Sequence, residues 1–108
     1  MRRALLVFMA LAFAGSALAG GNPEKGKAKA AEVCAACHGA DGSKPAAPEN
    51  PILAGQYGDY IVKALTDYKS GKRANPIMKA FADQLSKQDM QDLAAWFSSQ
   101  HSSLHFQR

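Results

Sequence analysis

Beyond its first nineteen residues, the chain has few large apolar side chains. It has only two cysteines and no stretch with the in–out alternation of a strand. The overall hydrophobic content of 47% hides the first shortage, because residues 1–19 hold much of it. In the 89 residues from 20 to 108 there are 13 Val, Ile, Leu and Phe, below the ~20% at which chains struggle to fold around their own core. Disorder does not account for this. The same stretch carries 11 Lys and Arg against 9 Asp and Glu, close to balance, and its helix punctuation is clear. Something other than side chains is expected to fill the interior, and a large apolar cofactor would do so. Two cysteines three residues apart exclude a disulfide framework. A length of 108 residues allows one small domain and excludes a multidomain enzyme. The formal net charge is +4, falling to +2 without Arg2 and Arg3, which is too small to indicate nucleic-acid binding.

Residues 1–19 follow the plan of a secretory signal peptide: Arg2 and Arg3, an apolar run from Ala4 to Ala14, then Ala17-Leu18-Ala19. The run is shorter than the ~20 residues that span a bilayer. Cleavage after Ala19, export to the periplasm and no stable membrane insertion are therefore expected. The domain would occupy residues 20–108, with a disordered tail over 102–108.

Three helices are predicted. Asn22-Pro23-Glu24 supplies an N-cap, a proline at the first helical position and an acid at the positive helix end. That helix should run to about Cys37, where Gly39 stops it. Tyr60, Ile61, Ala64, Leu65 and Tyr68 form a stripe on a second helix over about 59–69, ended by Ser70-Gly71. Ser86 and Asp89 form a capping box for a third, with Leu85 and Met90 at the staple positions, running to about Gln100. Residues 41–58 and 71–85 are expected to be irregular loops, long enough in so small a domain to wrap a ligand or partner. The fold class is all-α.

Cys34-Ala35-Ala36-Cys37-His38 carries the chemistry. At the end of a helix this spacing projects both thiols and the imidazole from one face. Two thiols can meet the two vinyl groups of a haem while the adjacent imidazole reaches the iron. A dithiol oxidoreductase site usually opens a helix after a strand, where the helix dipole activates the thiol; here the motif closes a helix. A zinc site needs four ligands, and His101 and His105 in the tail make a poor second pair. A disulfide across two residues would close too small a loop to contribute much.

For the opposite face of the iron, the candidates are Met78, Met90, His101, His105, a lysine, or no residue at all. Packing at the staple position explains Met90. Met78 falls in the expected irregular loop after Pro76, from which a thioether could cover the far face, although a gap-filling role would also place a methionine there.

The sequence resembles the class I c-type cytochromes, particularly small bacterial periplasmic ones and single domains of their two-haem relatives. The likeness covers residues 22–100. It rests on the Cys34–His38 motif, Pro51-Ile52-Leu53-Ala54-Gly55-Gln56, Asn75-Pro76-Ile77-Met78 and Asp92-Leu93-Ala94-Ala95-Trp96-Phe97. It implies three main helices and long loops around one covalent haem c, bound by Cys34 and Cys37, with His38 and Met78 as the axial ligands. It further implies that the Pro51 carbonyl accepts a hydrogen bond from His38 Nδ1, and that Gly26 and Ala30 cross Leu93 and Trp96 in a helix pair. Asn75 either donates to the methionine sulfur or holds the turn. The haem pocket is expected to include Val33, Ile52, Leu53, Tyr57, Tyr60, Ile61, Leu65, Ile77, Phe81 and Phe97.

Iron with both axial positions filled suits electron transfer rather than bond-making chemistry. The resulting expectation is a soluble periplasmic single-electron carrier. It would not be an enzyme, would be monomeric, and would dock transiently with a redox protein donor and acceptor. The alternative is a haem c subunit relaying electrons inside a larger oxidoreductase. A gas sensor would need an open or labile iron position. Lys44, Lys63, Lys69, Lys72, Arg73, Lys79 and Lys87 would either steer acidic partners or form an ordinary solvated surface.

Overall fold

In the computed structural model, residues 20–102 are described. Those residues contain helices and no strand, in the order α1 (Pro23–Val33), α2 (Ala35–His38), α3 (Gly58–Ser70), α4 (Pro76–Ala82) and α5 (Lys87–Ser98). The expected signal peptide lies outside the described residues, as do residues 103–108 of the expected tail. Ser102, where that tail was to begin, rests against Gly55. No helix among the described residues is long and apolar enough to cross a membrane.

The caps form as their chemistry predicts. The Asn22 side chain accepts from the backbone N–H groups of Glu24 and Lys25. Ser86 and Asp89 exchange both hydrogen bonds of the capping box, and Leu85 and Met90 are buried on either side of it. The Ser86 backbone N–H holds the Asp89 carboxyl below the ordinary carboxylate range, despite an opposing contribution from burial. Gly71 ends α3 with a left-handed φ of +81°, a conformation that costs glycine little.

α1 and α5 pack most closely, because glycine permits it. A Cβ at Gly26 would run into the Asp92 carbonyl and the Trp96 side chain, and Ala30 beside it has no exposure. Trp96 then reaches past α1: its Nε1 donates to the Ala40 carbonyl at 3.1 Å, while the Lys27 ammonium lies 5.5 Å from its ring centroid. Asp92 is 4% exposed and accepts from the Asn22 backbone N–H at 2.8 Å and from Gln88 Nε2 at 2.9 Å. This buried carboxylate ties the start of α1 to the middle of α5.

Three boundaries differ from the sequence reading. The first helix stops at Val33; Cys34 interrupts it, and α2 resumes for four residues before Gly39 closes it at φ +86°. The last helix ends at Ser98 rather than Gln100. The third difference matters most. Residues 71–85 are not irregular throughout, because Pro76–Ala82 is the helix α4. Its start repeats the chemistry of α1, an asparagine N-cap followed by proline, with Asn75 Oδ1 accepting from the N–H groups of Ile77 and Met78 at 3.1 Å each. Asn75 thus holds the turn. Residues 41–57 form no regular element, as expected.

The buried core is small. Ile61 and Leu65 of α3 meet Leu93 and Phe97 of α5, with Leu85, Met90 and the alanines completing it. Among the described residues, only Phe97 and Leu93 are large and wholly enclosed.

Candidate functional site

A cavity of about 290 Å³ opens beside that core, near the lower bound for small-molecule and cofactor sites. The haem motif forms one wall through Val33, Cys34, Cys37 and His38; the α3 stripe of Tyr60, Ile61, Ala64, Leu65 and Tyr68 forms another. Pro51, Ile52 and Leu53 come from the long loop, Ile77, Met78 and Phe81 from α4, and Leu93 and Phe97 from α5. Of the ten pocket residues expected, Tyr57 alone does not line the cavity. It caps the N-terminus of α3 and is 47% exposed.

His38 is 7% exposed, and its Nδ1 lies 2.9 Å from the Pro51 carbonyl oxygen. A carbonyl can only accept, so Nδ1 carries the proton in this contact and the lone pair of a neutral ring belongs to Nε2. The imidazole is therefore held in the form that binds a metal, and its outer partner is a fixed backbone atom. Pro51 is itself held by the motif. The Cys37 carbonyl accepts from Ala46 N–H at 3.0 Å and Asn50 Nδ2 at 3.1 Å, and the Gly42 carbonyl accepts from Leu53 and Ala54. The loop that appeared structureless in sequence is stitched to the residues it serves.

Both thiols are free. Burial pushes the Cys34 thiol up to about 11, with the neighbouring Cys37 adding to the rise. Redox-active dithiols need the reverse, a lowered pKa that supplies thiolate, and these surroundings do not favour one. Zinc is a poor fit also: among the described residues no group of three or more His, Cys, Asp or Glu side chains converges on one point. The donor set does fit haem c. Two thiols and one oriented imidazole share a wall, a thioether lies in the same cavity, and most of the remaining lining is apolar.

Sequence reasoning overlooked Glu49, Asn50, Gln56 and Arg73, which line the cavity together with Asn75. Arg73 had been read as surface charge, and only the return of its loop toward α3 reveals its position. Tyr68 could have been assigned from sequence, since it continues the α3 stripe. Two of the lysines considered around the site are paired: Lys63 with Asp67 at 2.6 Å and Lys79 with Asp83 at 3.0 Å.

The sequence profile of the family described as Cytochrome c matches residues 23–101. Cytochrome c4 of Pseudomonas aeruginosa is 47% identical over 98 residues, covering 91% of this chain and 48% of that protein. Cytochrome c-553 of Helicobacter pylori is 38% identical over 96 residues, covering 89% of this chain and 95% of its own length. The crystal structure of reduced recombinant cytochrome c4 from Pseudomonas stutzeri superposes with a TM-score of 0.70 at 43% identity, over 78% of this chain and 48% of that one. The chain spans about half the length of the cytochromes c4 it matches. With the C-x-x-C-H motif of Cys34, Cys37 and His38 set in an all-α frame, the chain belongs to the cytochrome c family, whose cofactor is a covalently bound haem c.

Proposed function

We propose that the chain is a soluble single-electron carrier of the periplasm and not an enzyme. Cys34 and Cys37 would hold haem c through thioether bonds, and His38 Nε2 and the Met78 sulfur are the groups that would bind its iron. The observation that carries this reading is the 2.9 Å contact between His38 Nδ1 and the Pro51 carbonyl, in a cavity shared with both thiols and Met78. The bound haem supplies a one-electron couple.

The chain's own residues determine what that couple can do. With His38 and Met78 both binding, the iron would have no position for a substrate, and the site would suit electron transfer rather than bond-making chemistry. A thioether opposite the imidazole raises the reduction potential relative to two imidazoles. Ile61, Leu65, Leu93 and Phe97 exclude water from the inner wall and favour the less charged reduced state. Ile77, 67% exposed at the cavity, offers a small apolar contact for a redox protein donor or acceptor, with Lys72 and Arg73 nearby in sequence to steer acidic ones. Residues 1–19 direct export and are removed after Ala19, leaving the domain at 20–108.

Met78→Ala tests the assignment. The oxidised protein should lose its weak near-infrared iron–sulfur band, and its reduction potential should fall. Retention of both would mean that another group is the ligand.

A further inference from the structure

Met78 is carried by a short element. α4 has seven residues, too few to hold its place by its own hydrogen bonds, and it lies in the segment that leaves α3 after Ser70 and rejoins the buried core at Leu85. Two lysines close that segment. Lys69, in the last turn of α3, donates through its ammonium to the Leu85 carbonyl, 16 residues on. Lys79, the residue after Met78, donates to the Lys69 carbonyl at 3.0 Å and also pairs with Asp83 at 3.0 Å. Lys69 therefore holds the segment twice, by its carbonyl at α4 and by its side chain at the far end.

These contacts satisfy backbone groups that a helix end leaves over. The last four carbonyls of a helix have no partner inside it. At the end of α3 the Asp67 carbonyl accepts from the Arg73 N–H at 3.0 Å, the Tyr68 carbonyl from the Gly71 N–H at 3.3 Å, and the Lys69 carbonyl from the Lys79 ammonium. A cation is favoured at that negative helix end.

We propose that Lys69 and Lys79 are positioning residues for Met78: the clasp they form between α3 and the 71–85 segment keeps α4 against the cavity and limits how often the thioether leaves the iron. This rests on the Met78 reading above. Closing a loop costs chain entropy, and each clasp bond stabilises the closed form relative to one in which α4 has moved off. Such a local opening is distinct from global unfolding, because the packing of Ile61 and Leu65 on Leu93 and Phe97 involves neither lysine.

The test is the rate at which added imidazole binds the oxidised holoprotein, with the near-infrared band recording Met78 attachment. Imidazole can bind only while Met78 is detached, so the rate reports the opening. Lys69→Leu and Lys79→Leu keep an aliphatic stem and leave both acceptor carbonyls in place. Each should bind imidazole about two- to tenfold faster than wild type, the range expected for one lost hydrogen bond. Lys63→Leu removes the same charge from α3 but breaks the pair with Asp67 instead, and Asp83→Asn breaks the ion pair at the end of α4. Both should stay near the wild-type rate, and the urea midpoint of global unfolding should be nearly the same in every variant. The proposal is overturned if Lys69→Leu and Lys79→Leu bind at the wild-type rate, or if the two controls accelerate as much as they do. It is also overturned if the acceleration is matched by an equal loss of global stability. In all of these outcomes the wild-type protein keeps its near-infrared band; absence of the band there would mean instead that Met78 is not the ligand.

Discussion

His38 and Asn75 work in the same way: each commits one side-chain atom to backbone and so fixes what the cavity receives. With Nδ1 donating to Pro51, His38 keeps the lone pair of its neutral ring on Nε2, in the cavity wall. With Oδ1 accepting from the Ile77 and Met78 N–H groups, Asn75 clamps the first turn of α4, from which Met78 lines the cavity. Asn75→Ala should cost about 1 kcal/mol of N-cap stabilisation, a roughly fivefold rise in the fraction of protein with Met78 detached. Thermal loss of the near-infrared band should then occur at a lower temperature than in wild type, ahead of global unfolding; unchanged loss would show that α4 does not depend on this cap. Cys34, Cys37 and His38 were readable from sequence because covalent attachment demands those residue types at that spacing. Arg73 was not, because its position depends on a backbone hydrogen bond to Asp67 that no local pattern encodes.

At the scale of elements, the crossing of α1 and α5 is the most demanding contact. Gly26→Val would push a branched side chain into the Asp92 carbonyl and the Trp96 side chain, and the resulting overpacking should cost about 2 kcal/mol or more. Denaturant unfolding of the holoprotein would measure it, and a loss below half that figure would mean that the helices can separate cheaply. The buried Asp92 gives the same contact a polar component through Asn22 and Gln88. Sequence reasoning placed Gly26, Ala30, Leu93 and Trp96 at this crossing, because a glycine opposite a bulky aromatic is a local signal. It missed α4, since seven residues make two turns and no amphipathic stripe can show over so short a span. The usable signal was Asn75-Pro76, the same start that had correctly marked α1 at Asn22-Pro23.

For the molecule as a whole, the shortage of large apolar residues and the small enclosed core have one cause: the cofactor is meant to complete the interior. α3 and α4 each present one side to the cavity, and without haem those sides have little to pack against. Cys34→Ser combined with Cys37→Ser should therefore give a chain with weak helical circular dichroism and no cooperative melt. A well-folded, cooperative apoprotein would show that the side chains suffice. Composition made the deficit visible and the length of the 41–58 loop suggested a wrap, but only the fold shows the hydrogen bonds to Cys37 and Phe97 that hold residues 41–57 in place as a wall.

Adding carbon monoxide to the reduced holoprotein tests most directly whether His38 and Met78 together close the iron. The absorption spectrum should be unchanged at neutral pH, as required of a carrier that exchanges electrons and binds nothing. Ready formation of a carbon monoxide adduct would contradict the account and identify an open or labile position suited to gas binding.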